Sequence, residues 1–307
     1  MGNLENSKKT LLITGATGFL GSHLVKRFIN NYKIIILKRS FSNTWRIKNF
    51  FNNLVCYDID RLKDLKLVFK ENNVNFIIHT ATNYGRNDET ISTVFHSNMA
   101  FPLELLQNAL EFGVKYFINT DTFTKSNYGR LKYYSLSKKQ FLEWLKLFDE
   151  KIKVFNMILE HVYGEADNEE KFIPTVINKI LLNVKSIDFT KGRQKRDFIY
   201  VQDVVDAYEK VVEQSKDLQK NYYDFEIGTG KVISIKKLIE TISNLIEKDV
   251  TTKFNFGALP YAKNEIMLER ANFLRTYKVI RWEPRISLED GLKRIIDWYK
   301  NIKDTQI

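Results

Sequence analysis

The stretch Leu11–Phe28, LLITGATGFLGSHLVKRF, decides the fold. It opens as a short apolar run rich in β-branched residues, breaks at glycine, and continues with helical spacing of its apolar positions. Gly15, Gly18 and Gly21 follow one another at three-residue intervals across the break. A strand feeding a helix through such a turn needs glycine for three reasons. The chain must reverse tightly, the backbone must come close to a diphosphate, and helix and strand must pack closely. The spacing alone is weak evidence; its place between a strand and a helix makes it a dinucleotide fingerprint.

Outward from that turn the pattern repeats. KIIILKRS (33–40), NLVCYDI (53–59), VNFIIHTAT (74–82), VKYFINTD (114–121) and KIKVFNMIL (151–159) read as strands. Between them lie helical stretches: RLKDLKLVFKENN, a long ISTVFHSNMAFPLELLQNALEFG with a proline inside it, and YSLSKKQFLEWLKLFDE. Strand then helix, repeated, implies a parallel sheet covered on both faces. The second half mixes short strands and helices without that alternation. The expected fold is therefore α/β, a Rossmann-type doubly wound parallel sheet with a smaller C-terminal α/β lobe. The boundaries expected are 1–160 for the dinucleotide domain and 161–307 for the substrate lobe, with some elements interleaved.

Composition narrows the function. The chain of 307 residues is 44% hydrophobic and 28% charged, which is ordinary globular composition. No apolar run approaches the roughly 20 residues that span a bilayer. The opening MGNLENSKKT has no apolar core and is not read as a secretory signal. Asn6 stands where a myristoylation pattern needs Ser or Thr. The single Cys56 allows no internal disulfide and fits a cytoplasmic location. The net charge of +11 is spread along the chain rather than gathered in a patch, so neither nucleic acid nor membrane is the expected partner. His23, His79, His96 and His161 do not cluster in sequence with Cys56, so no metal site is expected.

After the second strand comes ILKRSFS, with Lys38 and Arg39 where an acid would hold the 2′-hydroxyl of NAD. A basic group there suits the 2′-phosphate, so NADP (NADPH) is the expected cofactor. Arg39 is the candidate for the phosphate, Ser40 a second donor, and Asp58 a candidate for the adenine end.

YYSLSKK (133–139) offers two tyrosines and two lysines. Only Tyr134 and Lys138 stand four apart, on one helical face. The rival pairs Tyr128–Lys132 and Tyr299–Lys303 read as loop and as a fraying helix end. An ammonium beside a phenol favours phenolate, so Lys138 is expected to lower the pKa of Tyr134 and make it a proton donor or acceptor. Thr120 ends the preceding strand, where a ligand crevice belongs.

TGATGFLG, HTAT, NTDT, YSLSK and HVYG, in that order, resemble the extended short-chain dehydrogenase/reductase family over nearly the whole chain. The resemblance implies a catalytic triad at Thr120, Tyr134 and Lys138. It implies cofactor contacts from Gly15, Thr17, Gly18, Phe19, Leu20, Gly21, Arg39, Ser40, Asp58, Ile59, Thr80, Ala81, Tyr134, Lys138 and Leu159. It places substrate at Thr122, His161, Lys171, Phe172 and Arg196, the last on a diphosphate, with Glu265 and Arg270 toward the nucleotide end. The second-half stretches ILEHVYGEADNEEKFIPTVI, GRQKRDFIYVQDVVDAY and FNFGALPYAKNEIMLERAN resemble a branch that reduces the C4 ketone of CDP-linked 4-keto-3,6-dideoxyhexoses with NADPH. The family's 4,6-dehydratases carry Asp-Glu after the catalytic threonine; Asp121-Thr122 here disfavours them. A homodimer through helices near 94–112 and 134–148 is implied as well. Two alternatives stand beside the reductase: a nucleotide-sugar 4-epimerase and a dinucleotide-sensing regulatory protein.

Overall fold

The computed structural model describes residues 8–86, 89–123, 131–246 and 250–305. The strands and helices run in chain order as β1 (Thr10–Thr14), α1 (Phe19–Phe28), β2 (Lys33–Lys38), β3 (Val55–Asp58), α2 (Leu65–Glu71) and β4 (Phe76–His79). They continue as α3 (Ile91–Phe95), α4 (Phe101–Glu111), β5 (Tyr116–Thr122), α5 (Lys132–Lys146), β6 (Lys153–Leu159), β7 (His161–Tyr163), α6 (Phe172–Leu181), β8 (Ser186–Phe189) and β9 (Lys195–Tyr200). The remainder is α7 (Val201–Gln214), β10 (Tyr222–Ile227), β11 (Val232–Ser234), α8 (Ile235–Ile246), β12 (Lys253–Phe256), α9 (Phe273–Ile280) and α10 (Leu288–Thr305).

Among the described residues, seven strands form one sheet in the order β10-β6-β5-β4-β1-β2-β3. The pairs β1–β2, β2–β3, β1–β4 and β4–β5 are parallel. Strand order reverses between β1 and β4, and ligands of such sheets bind beyond the strand ends at that switch point. The continuous apolar runs follow from burial on both faces: every residue of β1 and β4 is buried, as is the whole interior of β2. Leu12, Ile77 and Phe117 are fully enclosed and share a core with Phe141 and Leu145 of α5. Each such side chain stabilises the fold by about 1.5–3 kcal/mol through burial.

The chain divides into two compact units. The first holds residues 1–158 and 207–225, the second 159–206 and 226–307. In the second unit β9 pairs antiparallel with β11 and parallel with β7, while β8 pairs parallel with β12. Helices α6, α8 and α10 pack around a separate core that includes Ile177, Ile239 and Ile295. Asp203 fixes the approach to α10: its carboxylate accepts the backbone N–H groups of Arg285 and Ile286 at 3.0 Å each.

Two expectations change. The long helix over 91–113 is two helices joined by a wide π turn, His96–Ala100. Pro102 sits in the first turn of α4, directly after that π turn. Tyr299, expected on a fraying end, is buried in the core of the second unit. The rival Tyr128 lies outside the described residues.

Candidate active site

Tyr134 and Lys138 are both buried on the inner face of α5, while Tyr133 points outward. The phenol of Tyr134 is hydrogen-bonded to the side chain of Thr122, the last residue of β5. The hydroxyl of Thr120 is instead engaged with that of the fully buried Tyr208, 2.6 Å away. The sequence reading gave Thr120 a contact with the substrate oxygen that Tyr134 serves; the residue that contacts the phenol itself is Thr122. Both threonines face one side of the strand, two residues apart, and the one nearer the tip reaches the phenol.

The shift of Tyr134 runs opposite to the direction expected from Lys138 alone. Burial pushes the Tyr134 phenol well above its ordinary range, and the neighbouring Tyr84 pushes it further. The hydrogen bond from Thr122 and the Arg86 cation oppose this without reversing it. Lys138 is itself pulled down by burial, against the influence of Asp121. Desolvation can move a fully buried group by up to about 3–5 pH units, which outweighs a neighbouring charge. Tyr134 is therefore a protonated phenol at neutral pH.

Beyond Thr80 and Ala81, the residues Asn83, Tyr84 and Arg86 were missed as contributors, although they follow the C-terminal end of a strand where site residues gather. Asn98, buried in the π turn, accepts the Asn83 backbone N–H and donates to the Asn83 carbonyl, both at 2.8 Å. It also donates to Ser137 Oγ at 3.0 Å, and Ser137 donates to the Tyr134 carbonyl. The ring of Tyr84 then lies 4.8 Å from that of Tyr134.

The glycine turn is built as the spacing requires. Gly15 has φ +69°, and a Cβ there would come within 2.7 Å of the Ala81 nitrogen and 2.8 Å of Thr80 Oγ1. A Cβ on Gly21 would lie 2.1 Å from the Gly15 carbonyl oxygen. Thr80 and Ala81 are held at the end of β4 by Thr14, whose carbonyl accepts from Thr80 Oγ1 and whose hydroxyl accepts from the Ala81 N–H. Thr17, Phe19 and Leu20 are part-exposed at the start of α1, and no side chain caps that helix. Close backbone approach, uncapped N–H groups and a helix N-terminus fit a dinucleotide's diphosphate.

At the end of β2, Lys38 is ion-paired with Asp58, so the carboxylate expected at the adenine end already has a partner. The Ile59 N–H is bonded to the Lys38 carbonyl. Asp60 takes both the N–H and the side-chain hydroxyl of Ser40, so that hydroxyl, expected at the cofactor, already has a partner. Arg39 is exposed and touches Ser97 Oγ at 3.2 Å. Arg46, which the sequence reading did not single out, reaches the Thr17 carbonyl at 3.4 Å. Leu159, expected at the cofactor, is buried.

The second unit holds its own polar cluster. Arg196, expected to be available for a diphosphate, is bonded to Glu265 at 2.7 Å and to Glu269 at 2.9 Å. Segment 267–269 runs beside β9, with backbone hydrogen bonds to Lys195, and that carries both acids to the guanidinium. The His161 ring packs on Phe198, and burial pulls it down to about 4, so it is neutral at neutral pH. Glu160 beside it is pushed up to about 8, by burial first and then by Asp197. Asp197 organises the turn 228–230 by accepting the N–H groups of Thr229 and Gly230. Lys171 precedes α6 and pairs with Asp167 at 2.9 Å; Phe172 packs edge-on against Phe189. Arg270 is exposed.

Residues 11–228 match the NAD dependent epimerase/dehydratase family. The chain is 38% identical over 297 residues to the CDP-abequose synthase of Salmonella muenchen, across 94% of this chain and 97% of that protein. It is 30% identical over 316 residues to a putative UDP-glucose 4-epimerase of Methanocaldococcus jannaschii, across 95% and 98% of the two. Its fold is similar to that of the UDP-glucose 4-epimerase of Thermotoga maritima, solved with UDP-glucose. There the TM-score is 0.80 at 22% identity, over 96% of this chain and 99% of that one.

Proposed function

The chain belongs to the NAD dependent epimerase/dehydratase family, and from that premise we propose that it reduces the C4 ketone of a nucleotide-linked 4-keto-deoxyhexose. The proposed reductant is NADPH and the proposed substrate a CDP-linked 3,6-dideoxy sugar, as for the synthase to which it is 38% identical. The observation that carries the reductive reading is the 38% identity to CDP-abequose synthase over 94% of this chain and 97% of that protein. The buried phenol of Tyr134, hydrogen-bonded to Thr122, would serve as the acid of that reduction.

The glycine turn would hold the cofactor's diphosphate, and Arg39 its 2′-phosphate, with Lys38 in place of an acid that would repel it. The bound dinucleotide supplies the hydride. Tyr134 gives its proton to the C4 oxygen as charge develops there. Thr122 orients the Tyr134 hydroxyl and offers a donor to the same oxygen; with Thr122 in this role the next residue is Phe123, so the acids of a dehydratase are still missing. Lys138 is assigned to the nicotinamide ribose. Arg196 takes the sugar nucleotide's diphosphate by exchanging one of its two carboxylate partners. His161, Lys171 and Phe172 remain candidates for the same substrate. The proposed assembly is a homodimer: Phe95 of α3, Leu136 and Trp144 of α5 and Leu147 just after it expose an apolar face that neighbouring helices of a second copy would cover. Free Cys56 is consistent with a cytoplasmic setting.

The test is incubation with a CDP-linked 4-keto-3,6-dideoxyhexose and NADPH. Net loss of NADPH absorbance with formation of a C4 alcohol supports the reductase. The similarity to 4-epimerases keeps a second reading: interconversion of C4 epimers without net oxidation of the dinucleotide establishes that one instead.

A further inference from the structure

Beside the proton donor lies a pair of residues that the reaction above does not use. The loop after β4 is fixed at both ends of a short turn. Asn98 clamps the Asn83 backbone, and Asn83 Oδ1 accepts the Gly85 N–H at 2.7 Å. Gly85, at φ +64°, completes the turn. Tyr84 is carried at the apex. Its ring meets that of Tyr134 at 4.8 Å and an interplanar angle of 34°, within the range of favourable aromatic pairs. The Arg86 guanidinium stands over the Tyr84 ring at 5.1 Å, a cation–π contact. The clamp also reaches the catalytic helix through Ser137, so the loop and Tyr134 are held in one frame.

The charged and titratable groups around Tyr134 can be named element by element. Lys138 shares its helix, Asp121 and Thr122 come from β5, and Tyr84 and Arg86 come from the loop. Lys138 is buried and opposed by Asp121. The cation whose influence on the phenol is resolved is Arg86.

We propose that Tyr84 and Arg86 are positioning residues for Tyr134. The Tyr84 ring fixes the rotation of the phenol ring, and the Arg86 cation stabilises the negative charge left on the phenol oxygen when its proton passes to the substrate oxygen. The balance is simple: the Tyr134 O–H bond breaks, the new O–H bond forms on the sugar alkoxide, and the phenolate that remains faces a fixed cation. This rests on the reductive reading of Tyr134, and its test separates the two.

The first measurement is the pH at which Tyr134 ionises in the NADP complex. It is read as the tyrosinate absorbance difference between each protein and the same protein also carrying Tyr134→Phe. Arg86→Ala is expected to move that midpoint upward by roughly half a pH unit, since an exposed cation acts through a high effective dielectric. Arg86→Lys is expected to restore most of the shift. The second measurement is turnover. Arg86→Ala and Tyr84→Ala are expected to lower kcat with KM changed by less than about twofold, while Tyr84→Phe keeps kcat. Arg86 and Tyr84 are exposed, so these substitutions leave the core intact. An unmoved midpoint in Arg86→Ala, or a loss confined to KM, overturns the proposal. A moved midpoint in a protein that reduces no keto-sugar sinks the reductase reading and leaves the pair standing.

Discussion

Tyr134 and the two threonines of β5 can be told apart by experiment. Tyr134→Phe should lower kcat by about 10²–10⁴-fold, the usual contribution of a positioned proton donor, while NADPH binding measured by fluorescence titration stays unchanged. Thr122→Val should lower kcat with melting temperature preserved. Thr120→Val should do the opposite: it leaves the Tyr208 hydroxyl buried without its partner, at a cost of about 1–3 kcal/mol in denaturant unfolding, with kcat near normal. Equal kinetic losses in the two valine variants would refute the division of roles. At this scale the spacing Tyr134–Lys138 was legible because a helix has a fixed period. The choice between Thr120 and Thr122 was not, since a strand of period two puts both on one face and only the position of α5 selects between them.

At the scale of elements, the glycine turn and the connection from β6 to β7 each carry a prediction. Gly21→Ala places a methyl group 2.1 Å from the Gly15 oxygen. Neither α1 nor the turn can move away without opening the sheet end, so a lower melting temperature and loss of dinucleotide binding are expected together. A variant that melts normally and binds NADPH normally would contradict the close packing. Glu160 sets a pH dependence. Its carboxyl ionises near 4.5 in the unfolded chain and is pushed up to about 8 in the fold. The folded protein therefore holds the extra proton between those values, and stability falls as pH rises through that window. Glu160→Gln should flatten the dependence, gaining about 2 kcal/mol at the alkaline end relative to the acid end once solvent relaxation is allowed for. Unfolding curves of the two proteins that run parallel from pH 5 to pH 8 would show that Glu160 is not the group responsible. The π turn at His96–Ala100 belongs to this scale too. The sequence offered an uninterrupted helical pattern with one proline, and the extra width that points Asn98 at Asn83 appears only once α5 and the loop are in place.

For the molecule as a whole, the exposed apolar face of α3 and α5 predicts association. Light scattering should give twice the chain mass, and Leu136→Glu with Trp144→Glu should return the monomer. A monomer in the unsubstituted protein at micromolar concentration would remove the homodimer. Strand-helix alternation made the doubly wound sheet legible across the first half, because each unit repeats one period change. The second unit was less legible: β7, β8, β11 and β12 are three or four residues long, too short for a period to register, and their pairing depends on chain brought from far away.

The glycine spacing, the buried strand runs and the one-turn separation of Tyr134 from Lys138 are local regularities, and the amino-acid order alone determined them. Tertiary structure decided what those groups experience. Enclosure, a non-local property, pushes the Tyr134 phenol up despite its lysine. Chain proximity ties Lys38 to Asp58 and surrounds Arg196 with Glu265 and Glu269. Charges reach across space at full strength only where water is excluded, and which groups lose their water is set by packing rather than by position along the chain.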